Sequence, residues 1–130
     1  MASQYGSQAI IGSIDVKKNI WGQYQVRSHS GKQKTNQKPI HWAKKLESFG
    51  AGEILLTSID QEGSWQGFDL DLVKSVTEAV KIPVIAHGGA GTVGHIIDVV
   101  QKAGASAVAL GSMVVFQKKV NKFQTQLWSY

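Results

Sequence analysis

Four places in this 130-residue sequence put polar or glycine residues at the end of a short apolar run. Ser13-Ile14-Asp15-Val16-Lys17 closes the run Ala9 to Ile14, and Asp15 is expected to end that strand. Thr57-Ser58-Ile59-Asp60-Gln61-Glu62-Gly63-Ser64 closes Ile54 to Ile59. His87-Gly88-Gly89-Ala90-Gly91-Thr92 follows Ile82 to Ala86, and Gly111-Ser112-Met113 follows Ala107 to Leu110. Glycines let a backbone approach a ligand closely, and the free N–H groups at a helix start attract anions. Two such turns, Gly88-Gly89 and Gly111-Ser112, on neighbouring strands would converge on one phosphate. A carboxylate at such a rim, Asp15, has the chemistry of a general acid or base. Taken alone, Asp15 is more readily read as a residue that caps the next turn. Lys17 is placed to balance that charge or touch an anion, though a lysine there is more often simply solvated.

The remaining polar side chains narrow the chemistry. His29, His41, His87 and His95 have no metal-ligand spacing, and only His87 stands at a strand end. No Ser-His-Asp set can be assembled. There is no cysteine, which removes disulfides, thiolate metal sites and a cysteine nucleophile. No metal and no cofactor is expected. Glu53 starts the second run and shares a face with Leu55 and Thr57 by alternation. It would therefore point inward at the opposite mouth from the rim, although a solvated strand-start glutamate is the commoner case. Trp21 and Trp65 fall in rim loops and could cover a ligand, although core or interface packing is the commoner case.

The elements that must position these residues follow from periodicity. The four runs are strand-length and apolar on both faces, as parallel strands covered on both sides are. Helical stripes follow them: Trp42, Leu46 and Phe49; Leu72, Val73, Val76, Ala79 and Val80 after Asp69; Val93, Ile96, Ile97 and Val100 after Thr92. A last helix is expected from about Val114 to Leu127, with Phe116, Val120, Phe123 and Leu127 on one side. The order βαβαβαβα predicts a single α/β domain over residues 1–130, with parallel strands. The first crossover is long, and Trp21 to Arg27 suits extended structure. Phe49-Gly50-Ala51-Gly52 and Ala103-Gly104-Ala105-Ser106 repeat one punctuation, a helix stopped at glycine before a strand. An eight-stranded barrel needs roughly 250 residues. Four units make a small open sheet or half a barrel with bare edges, which invite pairing with another chain.

Composition agrees with a globular chain: 42% hydrophobic and 18% charged. No apolar run is long enough for a membrane span, and the first residues carry neither a basic region nor an apolar one, so no membrane association and a cytoplasmic location are expected. Net charge is +5, and the eight basic residues between Lys17 and Lys45 are interrupted by no acid. That stretch suits a phosphorylated ligand or a solvated face. It lacks the interleaved aromatics of a nucleic-acid platform, so no nucleic-acid partner is expected.

Several motifs together resemble the cyclase subunit of imidazole glycerol phosphate synthase, the HisF family. They are Ser13-Ile14-Asp15-Val16-Lys17, His29-Ser30-Gly31-Lys32, Gly50 to Asp60, Gly67-Phe68-Asp69, and Pro83 to Gly91. The resemblance runs from about Ser7 to Phe116 and covers the C-terminal half of a (β/α)8, or TIM, barrel. It implies a (β/α)4 half-barrel, completed by self-association into a homodimer or higher homo-oligomer. It implies ammonia-dependent closure of an imidazole ring on a phosphorylated substrate, with ammonia delivered by a glutaminase subunit. On this resemblance Asp15 is one of two catalytic aspartates, the other belonging to the missing half. Glu62, Gly63, Gly88, Gly89, Gly111 and Ser112 hold phosphate, Thr57 and Ser30 face substrate, and Glu53 belongs to a charged ring at the ammonia entrance.

Two departures stand out: Glu62 where the family usually has Asp, and His87 where it usually has Ser. With the loop at Lys18-Asn19-Ile20-Trp21 they resemble a cyclase-like branch that serves surface-polysaccharide synthesis. The expected behaviour of the chain alone is phosphate binding with little or no cyclase activity. The alternatives are a non-catalytic half-barrel scaffold, or ammonia transfer to a sugar nucleotide.

Overall fold

A computed structural model describes residues 10–28, 33–34, 38–110, 113–117 and 125–129. In chain order the elements are β1 (Ile11–Lys18), β2 (Tyr24–Ser28), β3 (Gln33–Lys34), α1 (Pro39–Ser48), β4 (Glu53–Ser58), α2 (Leu70–Ala79), β5 (Val84–His87), α3 (Val93–Gln101), β6 (Ala107–Leu110), β7 (Met113–Gln117) and β8 (Thr125–Ser129). They form one sheet in the order β3-β2-β1-β4-β5-β6-β7-β8. The four apolar runs are its parallel centre, β1-β4-β5-β6, joined by the crossovers that carry α1, α2 and α3. The fold is α/β, with the strand–helix repeat of half a TIM barrel at its centre.

Each helix starts where local chemistry favours it. Pro39 occupies the first turn of α1, where its missing N–H costs nothing. Asp69 caps α2 by accepting from the Leu72 N–H at 3.1 Å, and Thr92 caps α3 by accepting from the His95 N–H at 3.2 Å. Gly50 and Gly104 both take positive φ, +100° and +82°, at the ends of α1 and α3. The repeated glycine punctuation is therefore a repeated left-handed helix stop. Phe49 is not part of the α1 stripe. It is the C-cap residue and is 75% exposed, while Ala43 is the fully buried residue of that helix.

Strand alternation sorts the sheet into two faces. Ile14, Val16, Ile54, Leu56, Val84, Ala86 and Val108 point to the helices and form the main core with Leu72, Val73, Val76 and Val99. Ser13, Asp15, Glu53, Leu55, Thr57, Ile85, His87, Ala107 and Ala109 alternate with them on the other face. A second, smaller apolar cluster of Ile85, Ala107 and Ala109, flanked by Leu55 and Val114, lies on that face.

The structure corrects two further expectations. β1 does not stop at Asp15 but continues to Lys18, because β2 pairs antiparallel with its second half from Asp15 to Lys18. The expected last helix is not seen among the described residues: residues 113–117 and 125–129 are strands, β7 pairing antiparallel with β6 and β8 pairing antiparallel with β7. The run Met113-Val114-Val115-Phe116 is apolar and β-branched, and β6 offers a free edge beside it. Val115 there sits opposite Val108 and is buried in the helix-side core. Backbone pairing plus that burial outweighs the helical spacing of Phe116, Val120, Phe123 and Leu127. Val120 and Phe123 lie outside the described residues. Among the described residues no helix is long and apolar enough to cross a membrane.

Candidate functional site

Asp15, Thr57 and His87 form one row across three parallel strands. Asp15 is in register with Thr57, and Thr57 with His87. Parallel register keeps all three on one face of the sheet. Thr57 is buried, and its Oγ1 lies 3.1 Å from His87 Nδ1. Burial pushes the Asp15 carboxyl above its ordinary range, the Glu62 carboxylate adds to that rise, and His87 opposes it. A partly desolvated carboxyl that holds its proton more readily has the chemistry of an acid–base group.

Lys17 stands two residues further along the same strand, but its charge is already spoken for. Its Nζ pairs with Asp60 Oδ1 at 3.0 Å, and the Lys18 N–H donates to Asp60 Oδ2 at 2.8 Å. Burial pushes the Asp60 carboxyl up, but the Lys18 N–H and the Lys17 ammonium outweigh it and hold it below its ordinary value. Asp60 thus clamps the end of β1 to the loop after β4. The sequence motif contained Asp60, yet no spacing signal distinguished this role.

The turn Gly88-Gly89-Ala90-Gly91 is packed against the β4–α2 loop. A Cβ on Gly88 would lie 2.6 Å from the Ser58 carbonyl oxygen, and one on Gly89 or Gly91 would overlap the carbonyl oxygens of Gly67 or Trp65. The Gly67 N–H donates to the Gly89 carbonyl at 2.7 Å, and Gln61 Nε2 donates to the Gly67 carbonyl at 2.8 Å. These glycines are required by close approach of two main chains, whatever they do for a ligand. Among the described residues, the N–H groups of Gly88, Gly89 and Ala90 donate to no acceptor, whereas the Gly91 N–H donates to His95 Nδ1 at 3.0 Å. His95 braces the turn, a role its place on a helix face did not reveal.

Beside the turn lies a cavity of about 550 Å³. Glu62, Gly63, His87, Gly88 and Gly89 line it together, so five of the residues singled out from sequence meet in one place. The first turn of α3 and an apolar wall of Trp65, Val93, Ile96 and Leu110 complete it. Glu53 is at the far end of β4, opposite Ile11, as the alternation predicts. Ser30, Gly111 and Ser112 lie outside the described residues. Among the described residues no cluster of His, Asp or Glu could hold a metal ion.

A parallel β/α half-barrel with a glycine turn, a helix start and an acidic side chain at one rim belongs to the class of TIM-barrel proteins that place ligands at the C-terminal strand ends. Residues 1–121 match the family described as Histidine biosynthesis protein, and the chain belongs to that family. It is 44% identical over 119 residues to a putative imidazole glycerol phosphate synthase subunit hisF2 of Pseudomonas aeruginosa, covering 92% of this chain and 47% of that protein. It is 46% identical over 118 residues to the imidazole glycerol phosphate synthase subunit HisF of Chlorobium luteolum, covering 91% and 47%. The HisF subunit of Chlorobium phaeobacteroides is 43% identical over 118 residues, again across 47% of its length. The chain spans about half the length of the curated relatives it matches.

Proposed function

We propose that this chain is the phosphate-binding, acid–base half of a HisF-like cyclase barrel. The observation that carries the reading is the convergence of Glu62, Gly63, His87, Gly88 and Gly89 on one cavity, next to the row that holds Asp15. The N–H groups of the glycine turn and the start of α3 take one phosphate of a doubly phosphorylated substrate. Asp15, with its raised carboxyl pKa, exchanges a proton with the reacting centre during ammonia-dependent ring closure. Thr57 orients His87 beside it.

One acid–base group of a pair is not enough for full turnover, since each typically contributes ~10²–10⁴-fold. The second is supplied by another half-barrel. A second copy, related by a two-fold axis, would bring a second Asp15 across the ring. The face carrying Glu53 at the other mouth receives ammonia from a glutaminase subunit.

Calorimetric titration with inorganic phosphate tests the site. Gly63 has φ +76° and nothing within 4 Å of a built Cβ, so Asn and Asp both fit there. Gly63→Asp should weaken phosphate binding at least tenfold relative to Gly63→Asn, which has the same shape without the charge. Equal affinities in the two variants would remove phosphate from this cavity.

A second reading is ammonia transfer to a sugar nucleotide. It is favoured by one feature, the His87 imidazole tied to Thr57 at the cavity edge. Binding of a sugar nucleotide in preference to a phosphorylated imidazole compound would select it.

A further inference from the structure

Trp65 packs its main chain against Gly91, but neither the core nor that contact explains its exposed side chain. It lines the cavity, yet it is 73% exposed, so the fold does not bury its ring. Its φ is +61°, and it is the one non-glycine residue with positive φ among the described residues. A bulky side chain in that region is an outlier that the surrounding structure must enforce.

The enforcement is visible. The loop is closed at its start by the Glu62 N–H donating to the Ser58 carbonyl at 3.0 Å, and by the Ser64 N–H donating to the Gln61 carbonyl at 3.0 Å. The Gln66 N–H donates to Ser64 Oγ at 3.2 Å. Gln61 Nε2 and the Gly89 carbonyl both hold Gly67. Gly91 has no room for a Cβ because the Trp65 carbonyl occupies it. The main chain on both sides of Trp65 is therefore fixed, and the loop is organised before any ligand arrives.

The cavity also has more room than a phosphate needs. Its volume of about 550 Å³ falls in the range of sites for whole small molecules. Besides the glycine turn, its lining includes Trp65, Val93, Ile96 and Leu110, and Val93 is itself 68% exposed. An anion site needs no such wall. An apolar wall with an aromatic ring suits the flat face of an unsaturated ring, through stacking.

We propose that Trp65 is a specificity-determining residue that stacks on a planar heteroaromatic ring of the ligand while the ligand's phosphate occupies the Gly88-Gly89 turn. The ligand class is a phosphorylated compound bearing such a ring, with nucleoside monophosphates as the simplest probes. This rests on the phosphate reading of the glycine turn, and the probes separate the two. Base–aromatic stacking is worth about tenfold or more in affinity when the aromatic is removed.

The test is calorimetric titration of the chain with adenosine 5′-monophosphate, ribose 5-phosphate and adenosine, repeated on Trp65→Ala and Trp65→Phe. The unmodified chain should bind the nucleotide about tenfold tighter than ribose 5-phosphate. Trp65→Ala should erase that difference and leave ribose 5-phosphate within twofold, and Trp65→Phe should restore most of it. If the nucleotide and ribose 5-phosphate bind equally in the unmodified chain, stacking is overturned and the phosphate site stands. If adenosine binds as tightly as its monophosphate and ribose 5-phosphate does not bind, the phosphate site is overturned and the stacking role stands. Failure of all three probes to bind overturns both.

Discussion

The main chains of Gly67 and Gly89 touch, with the Gly67 N–H on the Gly89 carbonyl at 2.7 Å and no space for a Cβ between them. Gly89 also has φ +118°, which L side chains rarely adopt. Gly89→Ala therefore meets both overlap and backbone strain and should cost about 3 kcal/mol or more in urea unfolding. Gly63→Ala, with open space around it, should cost about 1 kcal/mol. Similar losses for the two would show that the turn and the β4–α2 loop are not in contact.

Asp15 carries a stability cost that follows from its raised pKa. The sign is that of any carboxyl whose folded value exceeds the unfolded one. Its contribution is fully present below the ordinary value of 3.8 and is lost as pH rises through the folded value. Asp15→Asn should accordingly raise the melting temperature at pH 7, with the gain shrinking to nothing below about pH 4. In a completed barrel the same substitution should abolish turnover. A variant that melts lower than the parent at pH 7 would mean that the carboxylate is stabilised rather than strained.

Asp60 has the opposite sign. Its lowered pKa gives stability that is present above the ordinary value of 3.8 and lost as pH falls through the folded value. Asp60→Asn weakens the Lys17 bridge and the bond from the Lys18 N–H. The pair is partly exposed, so the loss should be modest, about 1 kcal/mol at pH 7 in chemical unfolding, and smaller in high salt. An effect that persists unchanged at pH 2 would contradict the clamp.

Glu62 lines the cavity and raises the Asp15 pKa. Glu62→Gln removes a negative charge from both settings. Inorganic phosphate should bind about two- to fivefold tighter at low salt, and the Asp15 titration followed by NMR should move down. If phosphate affinity falls instead, the Glu62 carboxyl is itself a ligand-holding group.

Most of the scaffold was legible because it rests on local rules. Alternation placed Ile14 with the helices and Asp15 on the other face, and Asp69 and Thr92 announced the starts of α2 and α3. The C-terminal segment was not legible, because spacing at Phe116, Val120, Phe123 and Leu127 competes with a pairing partner, β6, that only the assembled sheet provides. The rim glycines were found for one reason and turn out to have two: the sequence marks a flexible turn but cannot show that Ser58, Gly67 and Trp65 press against it. Contacts such as Lys17 with Asp60, or Gly91 with His95, depend on side-chain reach between loops. A family resemblance located the Asp60 motif without revealing what that carboxylate holds.

The interlocked loop and turn draw all their mutual contacts from one stretch of chain, Ser58 to His95. Such a cradle is a self-sufficient cassette, carried whole by two consecutive strand–helix units. Duplication or recombination that moves those units would transplant the interlocked frame with them, while the pocket would still draw its Ala109 and Leu110 lining from the strand that follows.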